Sequence, residues 1–282
     1  MTHRTNMQEH AQRGPVGMHL PDDASEFEVL LATHTALGMP PLVLPGCWDV
    51  LSAAVITQAG YSAAWIGRGA VARATLGSVT PELVTARMMA SVVEQVHDAS
   101  PLVLVVEAGN GFGNAFNVAR TVRTLEAAGA QGIQLDDDIG DVGEGRDAKR
   151  LTADMIGKLK AAVDAADHLV LIARTSYAPG ESVTALVHRG CAYLEAGADL
   201  IAIGGTLMDT DLEQMAAWAA THAPLVIETD QPVSIGAFSG IAVISQPLLL
   251  QRQLEASAAG LLPPPLRAAV PLESDKLRRL AS

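Results

Sequence analysis

The sequence predicts one (β/α)8 barrel, the TIM-barrel fold, and three features of the chain lead to this prediction. Short apolar runs, typical of strands buried on both faces, alternate with longer segments of helical periodicity. The dipeptide Ala-Gly recurs at 59–60, 128–129 and 196–197, each time just before an apolar run, where glycine would end a helix. About eight strands can be counted, and that number of strand–helix repeats favours a closed parallel barrel.

The composition limits the partners that this chain can have. It has 282 residues, 49% hydrophobic and 18% charged, which suits one domain with a large core. The formal net charge of −12 disfavours nucleic acids and anionic membranes, because both attract clustered Lys and Arg, so we expect a small-molecule partner. Cys47 and Cys191 lie far apart without metal spacing, which favours a reducing compartment, by default the cytoplasm. No apolar run approaches the roughly 20 residues that span a bilayer, and residues 1–15 lack a signal peptide's apolar middle.

The first half of the chain divides into an extension and the first repeats. Residues 1–24 are polar and broken by prolines, so we expect a flexible N-terminal extension before a barrel domain at 25–259. A helix at 25–37, apolar on one face, is expected to close the bottom of the barrel. Strand 42–44, helix 49–59 and strand 63–66 follow, and Thr80, Pro81 and Glu82 predict the start of a helix that runs to about residue 99.

The clearest repeat begins with an apolar strand at 102–106. Three glycines free the backbone of the loop that follows, and Asn114 is the expected N-cap of a helix that ends before Gly129. Another apolar strand covers 131–135. The later elements are predicted as helix 152–166, strand 168–174, helix 181–196, strand 199–203, helix 210–222, strand 224–228, a short helix near 232–238, strand 240–244 and helix 247–259. Residues 260–282, which contain three consecutive prolines, form the predicted C-terminal tail.

Acidic residues follow two neighbouring strands of the predicted barrel. Glu107 comes after one strand, and Asp136, Asp137 and Asp138 come after the next. Because parallel strands of a barrel end at one rim, where active sites lie, Glu107 and Asp136 should lie close together. Mg²⁺ prefers oxygen ligands and keeps several waters, so this pair could hold Mg²⁺; the alternative is that both residues only cap loops. Asp137 and Asp138 are expected to face solvent.

A basic residue ends another predicted strand at the same rim. Arg174 follows the apolar run 168–173, and a guanidinium there can bind a carboxylate through two parallel hydrogen bonds. The alternative is a structural ion pair with an acid of the rim.

Four stretches of the sequence resemble the isocitrate lyase and phosphoenolpyruvate mutase superfamily, most closely the 2-methylisocitrate lyases, over roughly residues 42–254. They are Pro45-Gly46 before a helix, GFGNAFNVARTV at 111–122, EAAGAQGIQLDD at 126–137, and Ile172-Ala173-Arg174-Thr175. The resemblance implies a Mg²⁺-dependent TIM barrel, usually a tetramer that exchanges C-terminal helices between subunits. It also implies making or breaking a C–C or P–C bond beside a carboxylate or 2-oxo acid.

The chain departs from the superfamily's motifs in several places. Glu107-Ala108-Gly109 stands where an Asp-x-Asp motif binds the metal, so the second acid is missing. Residues 139–146 lack the catalytic cysteine of the lyases, and the lysine motif of the mutases is missing too. Gly67-Arg68-Gly69 replaces a loop that normally opens Ser-Gly. Neither standard chemistry of the superfamily is complete in this sequence.

The resemblance also assigns residues to a substrate site. Arg174 matches the arginine that binds substrate in the superfamily. Arg68 takes a position near the substrate that a small residue usually holds, so it could bind a second carboxylate or block the pocket. Trp65, Gly67 and Gly69 match pocket walls, although Trp65 could equally belong to the core.

Three hypotheses of function follow. In the first, a lyase-type enzyme breaks or rearranges a bond through an enolate; Glu107 and Asp136 hold Mg²⁺, and Arg174 anchors the substrate. The proton-transfer residue is not identified, and the acidic loop 136–147 is the first place to look for it. In the second, Arg68 replaces the cation and no metal is used. In the third, the protein is a noncatalytic ligand-binding or assembly member of the superfamily. We also expect a homo-oligomer, a tetramer or a dimer, since Ile241 to Leu262 is strongly apolar around the last helix.

Overall fold

Eight parallel strands form a closed barrel in the computed structural model, which describes residues 24–36, 40–137, 152–176, 181–204, 209–220, 222–229, 241–248 and 250–253. Each strand pairs with its neighbour in chain order, and the last pairs with the first. The strands are β1 (Leu42–Cys47), β2 (Ala63–Ile66), β3 (Val103–Glu107), β4 (Gly132–Asp136), β5 (Val170–Ser176), β6 (Leu200–Gly204), β7 (Leu225–Glu228) and β8 (Ile241–Gln246). The predicted TIM barrel is confirmed.

Helices alternate with these strands around the barrel. They are α1 (Glu26–Ala36), α2 (Val50–Gln58), α3 (Arg68–Leu76), α4 (Ala86–Ala99), α5 (Ala115–Ala127), α6 (Thr152–Ala165), α7 (Val183–Glu195) and α8 (Asp209–Ala219). None of the helices within the described ranges is long and apolar enough to cross a membrane.

The glycine stops that predicted the repeat have the expected backbone. Gly60, Gly129 and Gly197 have φ of 85°, 104° and 104°, the left-handed region that a glycine enters without strain when it ends a helix. Asn114 also caps α5 as predicted, because its side chain accepts hydrogen bonds from the backbone N–H groups of Phe116 (3.0 Å) and Asn117 (3.2 Å). These local signals explain why the repeat could be found from sequence.

The segment between β2 and α4 differs from its prediction. The chain enters α3 directly after Gly67, and this helix was not predicted. The helix start predicted at Thr80 is wrong, because Pro81–Leu83 form only a turn of 3-10 helix and Val84 returns to extended backbone with ψ of 127°. The helix starts one turn later, where the Thr85 hydroxyl accepts the backbone N–H of Met88 at 3.3 Å. Two threonines with cap chemistry lie five positions apart, and packing selects the second.

The core has two layers, one inside the barrel and one between the barrel and its helices. Inside, Trp65 is 1% exposed and packs with the apolar side chains of the other strands. Phe27 of α1 is fully buried in this layer and contacts Gly132 at the start of β4, where a Cβ would lie 2.9 Å from the Phe27 ring. The prediction that the first helix closes the bottom of the barrel is therefore correct.

Several predicted segments lie outside the described residues. They are the extension 1–24 apart from residue 24, the acidic loop from 138 onward, the short helix near 232–238, the tail 260–282 and the last helix 247–259 apart from 247–248 and 250–253. The division into extension, barrel domain and tail stays a prediction.

Candidate active site

A cavity of about 580 Å³ opens where the strands end. All of the predicted site residues border it, namely Trp65, Gly67, Arg68, Gly69, Glu107, Asp136 and Arg174. Other residues also line it, including Asn110, Ser176, Glu228, Pro247 and Leu248. Enzymes with the (β/α)8 barrel fold have their active sites at the carboxyl ends of the strands, so this cavity is the candidate active site.

Glu107, at the end of β3, is held by Arg68 at both carboxylate oxygens. The Arg68 backbone N–H donates to Oε2 at 3.0 Å, and the Arg68 Nε–H donates to Oε1 at 3.3 Å. Both side chains are mostly shielded from water, with exposed fractions of 15% and 21%. Arg68 begins α3 directly after Gly67, so the turn from strand to helix brings its guanidinium back over the end of β3.

The Arg68 guanidinium occupies the space beside Gly109. A Cβ on Gly109 would lie only 2.6 Å from Nη2 and 2.8 Å from Nε of Arg68. Gly109 has a φ of 53°, a left-handed conformation that also favours glycine. The Phe112 ring lies on the guanidinium, with its centroid 6.0 Å from Cζ, within cation–π distance. Arg68 is therefore fixed by a carboxylate, an aromatic ring and the lack of a side chain at residue 109.

Arg174 of β5 has a parallel arrangement on the other side of the cavity. Its Nε–H donates to Glu228 Oε2 at 2.8 Å, and Nη1 donates to the Ser176 hydroxyl at 3.3 Å. The guanidinium passes over Gly204 at the end of β6, where a Cβ would lie 2.6 Å from Arg174 Cζ. Both arginines thus combine an orienting glutamate with a glycine that leaves room for the guanidinium. The structural ion pair considered for Arg174 is present, with Glu228 as its acid.

Asp136 lies on β4 between these two ion pairs. It is paired in register with Arg174 on the neighbouring strand, and it is only 7% exposed. Burial is the main cause that raises its pKa well above the ordinary value; Arg174 opposes this effect, whereas Glu107 and Glu228 add to it. Burial likewise raises the pKa of Glu228, against the influence of Arg174. A carboxyl group whose pKa is raised holds its proton to higher pH and can act as a general acid or base.

Gln134 is a site residue that was missed from the sequence. Its side-chain amide donates to Asp136 Oδ1 and to Glu228 Oε1, each at 3.1 Å, and so links β4 to β7 across the barrel. Residues two apart on a strand face the same side, so Gln134 could have been found from its spacing to Asp136. Nothing in the sequence indicated the pairing of Glu228 with Arg174.

The prediction that Asp137 faces solvent is wrong. Asp137 is 6% exposed, and its Oδ2 accepts hydrogen bonds from Thr175 (2.6 Å) and Tyr193 (2.8 Å) and lies 3.4 Å from Arg189 Nε. Side chains alternate along a strand, so Asp137 points away from the cavity into the layer between β5 and α7, where Tyr193 and Arg189 lie. Burial and the nearby Asp137 raise the pKa of Tyr193 above its usual range. This cluster fixes the end of β4 without touching the cavity.

The described part of the site does not fit the predicted Mg²⁺ ion. The two proposed ligands were Glu107 and Asp136, but Glu107 already has the Arg68 guanidinium as its counter-ion. Within the described ranges, no group of three or more His, Cys, Asp or Glu side chains could hold a metal ion. A second cation beside a fixed guanidinium would also be repelled by it. The geometry therefore agrees better with the hypothesis in which Arg68 replaces the cation.

Comparisons with known proteins relate this site to a family. The family model described as phosphoenolpyruvate phosphomutase matches residues 32–260. An oxaloacetate decarboxylase of Rhodopseudomonas palustris is 33% identical over 199 residues, which cover 69% of this chain and 68% of the relative. A 2-methylisocitrate lyase of Salmonella typhimurium is 33% identical over 192 residues, which cover 66% of this chain and 63% of the relative.

A solved structure shares the fold of this chain. Oxaloacetate acetylhydrolase in complex with the inhibitor 3,3-difluorooxalacetate has a TM-score of 0.74 at 20% identity, and the match covers 84% of each chain. At this identity the likeness shows the fold alone. The match to the family model extends over most of the sequence and includes every strand of the barrel. The chain therefore belongs to the phosphoenolpyruvate phosphomutase family, within the superfamily that also contains the isocitrate lyases.

Proposed function

We propose that this protein is an enzyme that cleaves a C–C bond next to a carboxylate or 2-oxo group of a small dicarboxylic acid, through an enolate. One observation carries the proposal: two oriented arginines, Arg68 and Arg174, border the same cavity with the buried carboxyl group of Asp136 between them in strand order. Two guanidinium groups in a cavity of about 580 Å³ suit a small dianion.

The arginines would bind and orient the substrate. A guanidinium carries five N–H donors, so an arginine oriented by a glutamate can bind a substrate carboxylate at the same time. Arg174 would anchor the carboxylate remote from the reacting bond. Arg68 would contact the oxygens at the reacting end. The pocket walls next to Arg68 are Trp65, Gly67 and Gly69.

The bond cleavage then needs a cation that stabilises negative charge on the enolate oxygen and a group that gives a proton to the enolate carbon. The electron pair of the breaking C–C bond becomes the C=C bond of an enolate, and the carbonyl π pair moves onto oxygen, where a cation stabilises it. In a decarboxylation the lost fragment is CO2. In a retro-aldol cleavage a base removes the hydroxyl proton, and the fragment leaves as a carbonyl compound. Asp136, buried and 7% exposed, is our candidate for the group that returns a proton to the enolate carbon.

The names of the relatives support this substrate class. One relative is named an oxaloacetate decarboxylase and another a 2-methylisocitrate lyase, and both names describe C–C cleavage in small carboxylic acids. The first hypothesis, in which Mg²⁺ bound by Glu107 and Asp136 supplies the cation, remains the alternative for this same reaction. Metal analysis of the purified protein separates the two.

The test is product formation from oxaloacetate, 2-methylisocitrate and 2,3-dimethylmalate, followed by mass spectrometry and corrected for the reaction without enzyme. We expect at least one of them to be cleaved. Replacing Arg174 by lysine should keep the charge but lose the bidentate contact, which weakens substrate binding roughly 10- to 150-fold. Oxalate binding without turnover of any compound would instead support the noncatalytic hypothesis. Unchanged affinity in a folded Arg174→Lys variant would contradict the assigned role of Arg174.

We also propose a cytoplasmic homo-oligomer, a tetramer or a dimer. Cys47 and Cys191 are both free, as expected of a protein from a reducing compartment. The apolar last segment of the chain and the exposed apolar side chains of the barrel surface support association.

A further inference from the structure

Arg68 and Gly109 form a matched pair at the end of β3. The guanidinium lies where a side chain on residue 109 would begin, at 2.6 Å and 2.8 Å from its Cβ position, so a side chain there would displace the guanidinium from this position. Gly109 stands two residues after Glu107, where the resembled motif has its second acid. Compared with that motif, this chain has no acidic side chain at the second position and has a guanidinium in the same space.

This exchange keeps the charge of the site unchanged. A divalent cation with two carboxylates has no net charge, and neither has one guanidinium with one carboxylate. Glu107 keeps its role as the anion that holds the cation, since it contacts Arg68 through both oxygens at 3.0 Å and 3.3 Å. The Phe112 ring, 6.0 Å from Cζ, limits the guanidinium from another side. Arg68 is thus held in place by Glu107 and bordered by Phe112 and Gly109.

We propose that the Arg68 guanidinium takes the place of the divalent cation, so that this protein binds its substrate and stabilises the enolate oxygen without a metal ion. This inference rests on the proposed function. Two N–H groups of a guanidinium lie in one plane and point the same way, which matches the two neighbouring oxygens of a 2-oxo acid, one from the carbonyl and one from the carboxylate. Glu107 is the positioning residue for this contact, and Gly109 leaves the space.

Oxalate is a suitable probe, because it presents the same pair of neighbouring oxygens as a planar enolate. Calorimetric titration of the full chain should give oxalate binding that is unchanged by EDTA or by added MgCl2. Elemental analysis of the purified protein should find divalent metal far below one ion per chain. Arg68→Met should weaken oxalate binding roughly 10- to 150-fold, as expected when a charge-assisted contact is lost.

The matched control is Arg73→Met, which removes an arginine from the same helix, α3, outside the set that lines the cavity. It should leave oxalate affinity unchanged. Thermal unfolding of each variant checks that the barrel is intact. If Arg68→Met fails to fold, Arg68→Lys serves as the second variant; it keeps the charge without the planar fork and should also bind oxalate more weakly.

A paired substitution tests the exchange directly. Arg68→Ser combined with Gly109→Asp removes the guanidinium and restores an acid two residues after Glu107, and aspartate tolerates the left-handed backbone at 109 better than most residues. The double variant should bind Mn²⁺ or Mg²⁺ in calorimetry, and its oxalate binding should depend on the metal. The wild-type protein should bind neither metal ion, and its oxalate binding should not depend on metal.

The outcomes separate this inference from the function on which it rests. Substrate turnover or oxalate binding that EDTA abolishes in wild type and MgCl2 restores would overturn the inference and leave the proposed function in place. Unchanged oxalate affinity in Arg68→Met would also overturn it. Failure of wild type to bind oxalate or turn over any substrate, with or without metal, would overturn the proposed function itself.

Discussion

Asp136 is a carboxyl group whose pKa the fold raises. Its folded-state pKa is raised by burial and by two neighbouring glutamates, so the folded protein binds a proton that the unfolded chain releases. Between the two pKa values stability therefore falls as pH rises, and the full stability is present only on the acidic side. We expect Asp136→Asn to stabilise the fold at pH 7, because an amide never ionises, while it abolishes turnover.

The control for this prediction is the dependence of the stabilisation by Asp136→Asn on pH. Below the unfolded-state pKa of Asp136, about 3.9, the wild-type carboxyl becomes neutral in both states, so the advantage of Asp136→Asn should shrink as pH is lowered through about 4. Urea unfolding at several pH values measures it. An advantage that is equal at all of them would mean that ionisation of Asp136 is not its source.

Cys47 lies at the end of β1, and its surroundings make its thiol a poor nucleophile. The side chain is fully buried, its Sγ lies 3.5 Å from the Ser52 hydroxyl, and burial raises its pKa. In the native Cys191→Ser variant, which retains only Cys47, we expect no rapid reaction with a thiol reagent such as DTNB, and one thiol after unfolding in urea. Cys47→Ser should keep its activity. A rapid reaction of native Cys47, or loss of activity in a folded Cys47→Ser, would contradict this.

Single residues were predictable from sequence when their role depended on strand position alone. Glu107, Asp136 and Arg174 were found because strand ends of a barrel share one rim. The pairing of Glu228 was not found, since Glu228 contacts Arg174 across the barrel with a sequence separation of 54 residues, and its contact with Gln134 spans 94 residues. No local pattern encodes a pairing over that distance.

At the scale of elements, the glycine at the end of β6 leaves space for the Arg174 side chain of β5. Gly204 ends β6 under the Arg174 guanidinium, and a Cβ there would lie 2.6 Å from Cζ. Gly204→Ala should therefore displace the guanidinium from Glu228 and weaken oxalate binding roughly 10-fold, as expected for one lost charge-assisted contact, while the barrel still folds. Calorimetric titration with oxalate measures the loss.

Gly157→Ala is the matched control, because nothing lies within 4 Å of a Cβ at Gly157 in α6. It should leave oxalate affinity unchanged and stabilise the fold by roughly 0.5–1 kcal/mol through the higher helix propensity of alanine. If Gly204→Ala also left the affinity unchanged, Arg174 would not depend on this clearance.

Elements were predictable where a cap and a stop both marked them. α5 has Asn114 at its start and Gly129 after its end, and its bounds were found closely. α3 was missed because Gly67 precedes it without a side chain that could cap it, and Arg68 and Gly69 in its first turn resemble a loop. The sign of its end, Gly77 with φ of 62°, was present but does not by itself indicate a helix.

At the scale of the whole molecule, the barrel could be predicted because the same short sequence pattern of strand, helix and glycine stop recurs several times along the chain. Each unit has a buried apolar strand and a helix that ends at a glycine. About eight such units in a row favour a parallel sheet that closes into a barrel. The replacement of the metal could not be decided in the same way. Arg68 was open to opposite interpretations until its contacts with Glu107 and Gly109 were known, because these lie 39 residues or more along the chain.

The surface of the barrel supports our prediction of a homo-oligomer. Leu51 on α2 is 73% exposed and Phe116 at the start of α5 is 87% exposed, and Val50 and Val55 extend the apolar face of α2. Exposed apolar clusters of this kind are a feature of surfaces that associate, since burying them gains free energy. Light scattering at micromolar concentration should give a mass of at least two 29.4 kDa chains.

Substitutions of exposed apolar residues show which face of the barrel lies in the interface between subunits. Leu51→Glu or Phe116→Glu should shift the mass toward one chain if its helix lies in the interface, because a buried unpaired charge opposes association. Leu83→Glu tests a third exposed position, next to the 3-10 turn and 53% exposed. If the unmodified protein already has the mass of one chain, the exposed side chains do not reflect association, and the prediction of an oligomer is wrong.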